Sequence, residues 1–155
     1  MLRHFASFTS LRRRAASDRR GAIAAEFALI SPLLLAMVFS VIKFGIAINH
    51  NLALNNGVRA AAREFAVSRS NATVYTDTVA RFHASAPGLN RSAVVLTAAV
   101  NGVACASNGA CQIALAAAAG QPATLTASYA CDLTVFAWNL IPGCTLVSQT
   151  AERIE

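Results

Sequence analysis

Glu26 is the residue whose chemistry is hardest to reconcile with its neighbours. It sits in Ala22-Ile23-Ala24-Ala25-Glu26-Phe27-Ala28-Leu29, and Phe27 to Ile42 contains no charged residue. On insertion scales a carboxylate costs about 2.5–3.5 kcal/mol at the centre of a membrane helix and less towards an end. Glu26 therefore either snorkels to the headgroups or takes a cationic partner inside the apolar layer. Lys43 is seventeen residues further on, about 25 Å along a helix, so this chain's own charges do not supply that partner. It would have to come from another molecule, or from a positive group newly made by processing.

The other residue types capable of chemistry are Cys105, Cys111, Cys131 and Cys144, three histidines, and scattered acids. Four cysteines allow three pairings. Cys105–Cys111 and Cys131–Cys144 are the expected ones, because each closes a local loop rich in turn residues, Ser107-Asn108-Gly109 in one and Pro142-Gly143 in the other. Loops of this size gain about 2–3 kcal/mol each in the chain-entropy account. A metal site is the rival, but no cysteine pair has the two-residue spacing of a zinc knuckle and no histidine is near a cysteine. His4, His50 and His83 read as solvated residues. Asp77, Asp132 and Glu152 could converge in space, although scattered acids are usually a solvated face. There is no nucleophile elbow, P-loop or dinucleotide fingerprint. No enzyme activity, metal or cofactor is expected.

The elements that must position these residues follow from composition. The chain has 155 residues, 55% hydrophobic and 13% charged, against a usual charged share of about 25%. Thirty-four residues are alanine, and there is one Trp, so a large, densely packed enzyme core is not expected. The formal charge of +6 is concentrated at the start: residues 1–20 hold six Arg and one Asp. Ala22 to Ile48 would extend about 40 Å as a helix and can contain a bilayer core of about 30 Å. The positive-inside rule puts the Arg-rich end in the cytoplasm and residues beyond about 49 outside. A cleavable signal fits less well: its apolar region would be shorter, and Lys43-Phe44 stands where its small-residue site should begin. Nucleic-acid binding is not expected, since no basic stripe or stacking platform follows the tail.

With these features together, the N-terminal region resembles the TadE-like family, minor pseudopilins of the tight-adherence (Flp) type IV pilus system. Arg19-Arg20-Gly21 followed by Ala22-Ile23-Ala24-Ala25-Glu26-Phe27 resembles a prepilin processing site. Ala28-Leu29-Ile30-Ser31-Pro32-Leu33-Leu34-Leu35 and Lys43-Phe44-Gly45 are similar to the family's continuation, and Ala60-Ala61-Ala62-Arg63-Glu64 and Ser148-Gln149-Thr150-Ala151-Glu152 to its helix extension and final strand. The resemblance implies cleavage between Gly21 and Ala22 by a prepilin peptidase, at a glycine that leaves the backbone extended. It implies that Glu26, with Phe27 beside it, then pairs with the new N-terminal amine of a neighbouring subunit. Pro32 is expected to kink the helix by removing the hydrogen bond to the Ala28 carbonyl. The partners implied are the peptidase, other pilins or pseudopilins, the inner-membrane assembly platform and the lipid bilayer, with no nucleic acid. The location implied is the bacterial inner membrane, crossed once, with the N-terminus cytoplasmic and the C-terminus periplasmic, and a surface pilus as a further destination.

The organisation expected is a cleaved basic leader (1–21), a transmembrane helix (22–48), a periplasmic helix extension (49–69) and a small periplasmic α+β domain (70–155). In the extension, Leu54, Val58, Ala61/Ala62 and Phe65 form one apolar stripe at helical spacing, with Asn55-Asn56-Gly57 as a possible break. A short helix is expected at 77–84 and strands at 93–100, 123–133 and 145–151, with Asn101-Gly102 as a turn. Ala114 to Gly120 reads as a helical turn or a loop. A long N-terminal helix packed on a small antiparallel sheet, a pilin-like α+β arrangement, follows. The alternative is a permanently anchored single-pass protein whose periplasmic domain binds a ligand or partner.

Overall fold

Alanine-rich sequence with straight-chain and branched apolar residues favours helix over most of the N-terminal third. In the computed structural model, which describes residues 19–155, α1 runs Arg19–Val67 without interruption through Pro32. His4 and the leader residues up to Asp18 lie outside the described residues. The chain divides into two units, one ending at Val41 and one spanning Ile42–Glu155.

In the first unit the α1 residues face outward: Ile23, Phe27, Leu29, Leu33 and Met37 are all exposed. Ser40 returns its hydroxyl to the Ala36 carbonyl at 2.7 Å, a bond within the helix that removes a polar group from an apolar surface.

The second unit is α+β. The rest of α1 is followed by α2 (Val74–Ser85) and a single 3₁₀ turn, Arg91–Ala93. Then come β1 (Val94–Val100), β2 (Val103–Cys105), α3 (Asn108–Ala117), β3 (Pro122–Ala130), β4 (Thr134–Val135), β5 (Trp138–Asn139) and β6 (Thr145–Arg153). The main sheet is antiparallel throughout, in the order β2-β1-β3-β6, and β4 and β5 form a separate small hairpin. Alternation sets which face of the sheet is inward: Ala123, Leu125 and Ala127 are buried while Thr124, Thr126 and Ser128 are half-buried. The apolar stripe of α1, from Leu54 through Val58, Ala61 and Ala62 to Phe65, is wholly buried in one cluster with Leu125, Ala98, Phe82 and Leu115. The helix therefore packs on the sheet, as the periodicity indicated.

Several local expectations change. Asn55-Asn56-Gly57 does not break α1, because Asn55 is hydrogen-bonded and Gly57 is packed while Asn56 faces outward. Asn55 Nδ2 donates to Asn51 Oδ1 at 3.0 Å, and Asn55 Oδ1 accepts from Ser148 on β6 at 2.5 Å. Gly57 is where α2 crosses: a Cβ there would lie 2.8 Å from the Phe82 ring and 2.9 Å from Ala86 Cβ. Tertiary packing thus overrides a turn-like triplet.

Of the alanine run only Ala114 to Ala117 is helical, ending a helix that starts at Asn108 because Ser107 caps it and accepts from the Ala110 amide at 3.3 Å, and the chain turns from Ala118 to Gly120. The second strand stops at Ala130, where Cys131 begins a looped excursion, and the third continues to Arg153. β2 is too short to show a period. It arises because Asn101 and Gly102, both at positive φ, turn the chain back so that Val100 faces Val103. The bridges are Cys105–Cys111, joining β2 to α3, and Cys131–Cys144, closing the loop that carries β4 and β5.

Candidate assembly site

Gly21, Ala22, Glu26, Phe27 and Pro32 all lie on α1 in the first unit. Gly21 is helical. The extended backbone expected at this residue is not present, since the alanines after it are strong helix formers and one glycine costs only about 1 kcal/mol. A Cβ on Gly21 would meet nothing within 4 Å, so packing in this fold does not require a glycine there.

Glu26 follows Ala22 by one helical turn, and both are exposed. Among the described residues, no ion pair involves Glu26. Phe27 is 68% exposed. Pro32 removes one backbone donor, yet helix continues on both sides of it.

In the second unit Asp77, Asp132 and Glu152 each have separate partners. Asp77 sits in the first turn of α2 and accepts from Asn71 Nδ2 and Thr73 Oγ1, each at 2.7 Å, a favourable place for negative charge. Glu152 lies 4.0 Å from Arg63. Asp132 forms an ion pair at 2.9 Å with Lys43, a link the sequence did not disclose because the partners are 89 positions apart. Lys43 also lines a cleft of about 230 Å³ with Ile46, Ala47, His50, Tyr129 and Asp132. His50 meets the Tyr129 ring edge-on at 5.3 Å between centroids. His83 is half-buried; burial, then the Arg91 guanidinium, hold its pKa below the ordinary imidazole value. No group of three His, Cys, Asp or Glu able to hold a metal occurs among the described residues.

Hydrogen bonds from Thr134 and then Lys43 lower the Asp132 pKa to about 2. A depressed carboxylate pKa gives a contribution that is fully present above the unfolded value, about 3.9, and lost as pH falls through the folded one. The Asp132 carboxyl resonance is therefore expected to titrate near pH 2 and to move back towards the ordinary carboxylate range in Lys43→Gln. A normal midpoint in the unmodified chain would show that the pair does not form in solution.

The α1 sequence carries the decisive comparison. Residues 21–63 match the family model described as TadE-like protein. This segment is TadE-like. The TadE-like segment begins at Gly21, and it takes in Glu26, Phe27, Pro32 and Lys43, together with most of the buried stripe of α1. Within α1 lies a stretch long and apolar enough to cross a membrane, none of which is buried in the protein. No curated protein and no solved structure matches the chain.

Proposed function

We propose that this chain is a minor pseudopilin, a non-enzymatic assembly subunit of a tight-adherence pilus. The observation that carries this reading is that the TadE-like segment begins at Gly21, the residue after which cleavage is expected. A prepilin peptidase cuts between Gly21 and Ala22 at the cytoplasmic face and removes the basic leader. The mature chain then has a free amine on Ala22 and a carboxylate on Glu26, one turn apart along an exposed helix. In an apolar layer the amine of one subunit and the Glu26 of the next attract strongly and relieve each other's burial cost. Losing the leader also removes five net positive charges, so that the helix is free to leave the bilayer with its assembly partners. The domain carried after the helix lies in the periplasm, where disulfides persist.

Intact mass and N-terminal sequencing of the protein from its native membrane fraction test this. A mature chain starting at Ala22 is expected, with a mass lower by two hydrogen atoms for each bridge. A chain that still starts at Met1 would leave α1 as a permanent anchor and move the search for function to the outer domain.

A further inference from the structure

The loop closed by Cys131 and Cys144 exposes apolar side chains although the main core lies elsewhere. Trp138 is 79% exposed, Leu140 45% and Ile141 47%, while Leu133 and Val135 are buried. The hairpin tip is a two-residue turn, Phe136-Ala137, with φ of 47° and 67°. Turns of this form favour Asn-Gly, and left-handed backbone costs an L-residue about 1–2 kcal/mol. The turn is retained in spite of that cost, and it sets Trp138 opposite Val135 across the hairpin.

Leu133 to Ala151 contains no ionisable side chain except the bridged Cys144, and Asp132, at the base of the loop, is paired with Lys43. At the opposite end of the same two strands, where Pro122 faces Arg153, stand Glu152 and Arg63. The two ends are about 26 Å apart at 3.3 Å per residue. Lys43 belongs to the turns of α1 that expose Ile42, Phe44, Ile46 and Ile48, the end of the apolar stretch. The uncharged loop is therefore fastened next to the point where α1 would leave a bilayer.

We propose that the Cys131–Cys144 loop is a second membrane contact, with Trp138, Leu140 and Ile141 lying in the headgroup and upper acyl region of the periplasmic leaflet beside α1. An indole is suited to that layer, having an apolar body and one hydrogen-bond donor. The Lys43–Asp132 pair allows this approach by leaving no isolated charge at the loop base. The contact rests on α1 spanning the membrane, and it fixes how close the domain stays to the bilayer before any assembly.

Trp138 is the only tryptophan, so its fluorescence reports this loop alone. The full chain is reconstituted in phosphatidylcholine vesicles, with and without phosphatidylglycerol, and floated on a density gradient. The expected result is co-flotation, blue-shifted emission, and stronger quenching by lipid brominated near the glycerol than near the acyl terminus. The quenching should be the same with or without anionic lipid. Co-flotation with water-like emission that acrylamide quenches would overturn the loop contact while leaving the span intact. Shielded emission that brominated lipid does not quench would also overturn it, in favour of a second protein surface. Failure to co-float would overturn both the span and the contact.

Discussion

Glu26→Gln is expected to leave membrane insertion and leader removal intact while sharply reducing incorporation into a pilus. Gln has nearly the shape of Glu and enters an apolar layer at lower cost, so nothing upstream of assembly should suffer. On the proposed role, what is lost is the negative charge that would face the Ala22 amine of the neighbouring subunit. Removing one partner of a buried ion pair costs about 3–5 kcal/mol because the remaining charge is left uncompensated. At about 1.4 kcal/mol per factor of ten, that corresponds to a loss on the order of 10²–10³ in the assembly equilibrium. The comparison to make is mature protein in the membrane fraction against protein in sheared fibres, for Glu26→Gln beside the unmodified chain. Normal piliation in that variant would remove the role assigned to the charge. A protein that only anchors itself should also tolerate Glu26→Leu, which makes the pair of variants informative about the single-pass alternative.

Gly57→Leu should unfold the second unit or prevent α2 from docking. A bare Cβ already approaches the Phe82 ring to 2.8 Å and Ala86 to 2.9 Å, and both neighbours are buried, so the overlap cannot be relieved by swinging a side chain into solvent. For Gly57→Ala, overpacking of about 1–3 kcal/mol is partly offset by about 1 kcal/mol of helix propensity, and a modest fall in stability is expected. Leu adds three more carbons with nowhere to go and should exceed the upper end of that range. Thermal unfolding of the full chain in detergent, followed by near-ultraviolet circular dichroism, would measure both. Asn56→Ala on the same turn is exposed and serves as the control, expected to change little. A Gly57→Leu protein that melted like the control would mean that α2 does not cross α1 at this point.

The features legible in the sequence were those with a period or a motif. The Leu54-to-Phe65 stripe, the three longer strands and the Asn101-Gly102 turn could be read because 3.6-residue and two-residue alternation, and paired positive φ, leave marks in residue order. The Gly21-to-Phe27 pattern lies within the matched segment 21–63 and could be read as a local chemical signature that needs no tertiary context. The missed features depend on contacts across the fold. Gly57 has the composition of a helix breaker until Phe82 lies against it. β2 has three residues, too few for alternation, and the start of α3 was hidden because Ser107-Asn108-Gly109 has the composition of a turn as well as of a helix cap. Lys43 and Asp132 gave no sign of each other, since only the path of β3 beside α1 brings them together. The uncharged loop was visible as letters, but its meaning depended on knowing which end of the sheet it occupies.

The sheet order has a consequence for the timing of folding. β6 ends at Arg153, and the next residue, Ile154, is buried in the same cluster as the Leu54-to-Phe65 face of α1. Ile154 also exchanges backbone hydrogen bonds with Gly120 and Gln121. Core partners thus lie about a hundred positions apart, a separation that slows folding because a long loop must close first. In a chain made from its N-terminus, the apolar face of that helix appears early and lacks its full cover until residue 154 has followed. Through that interval the incomplete chain exposes an apolar surface of the kind that invites association, and the completed domain buries that helix face.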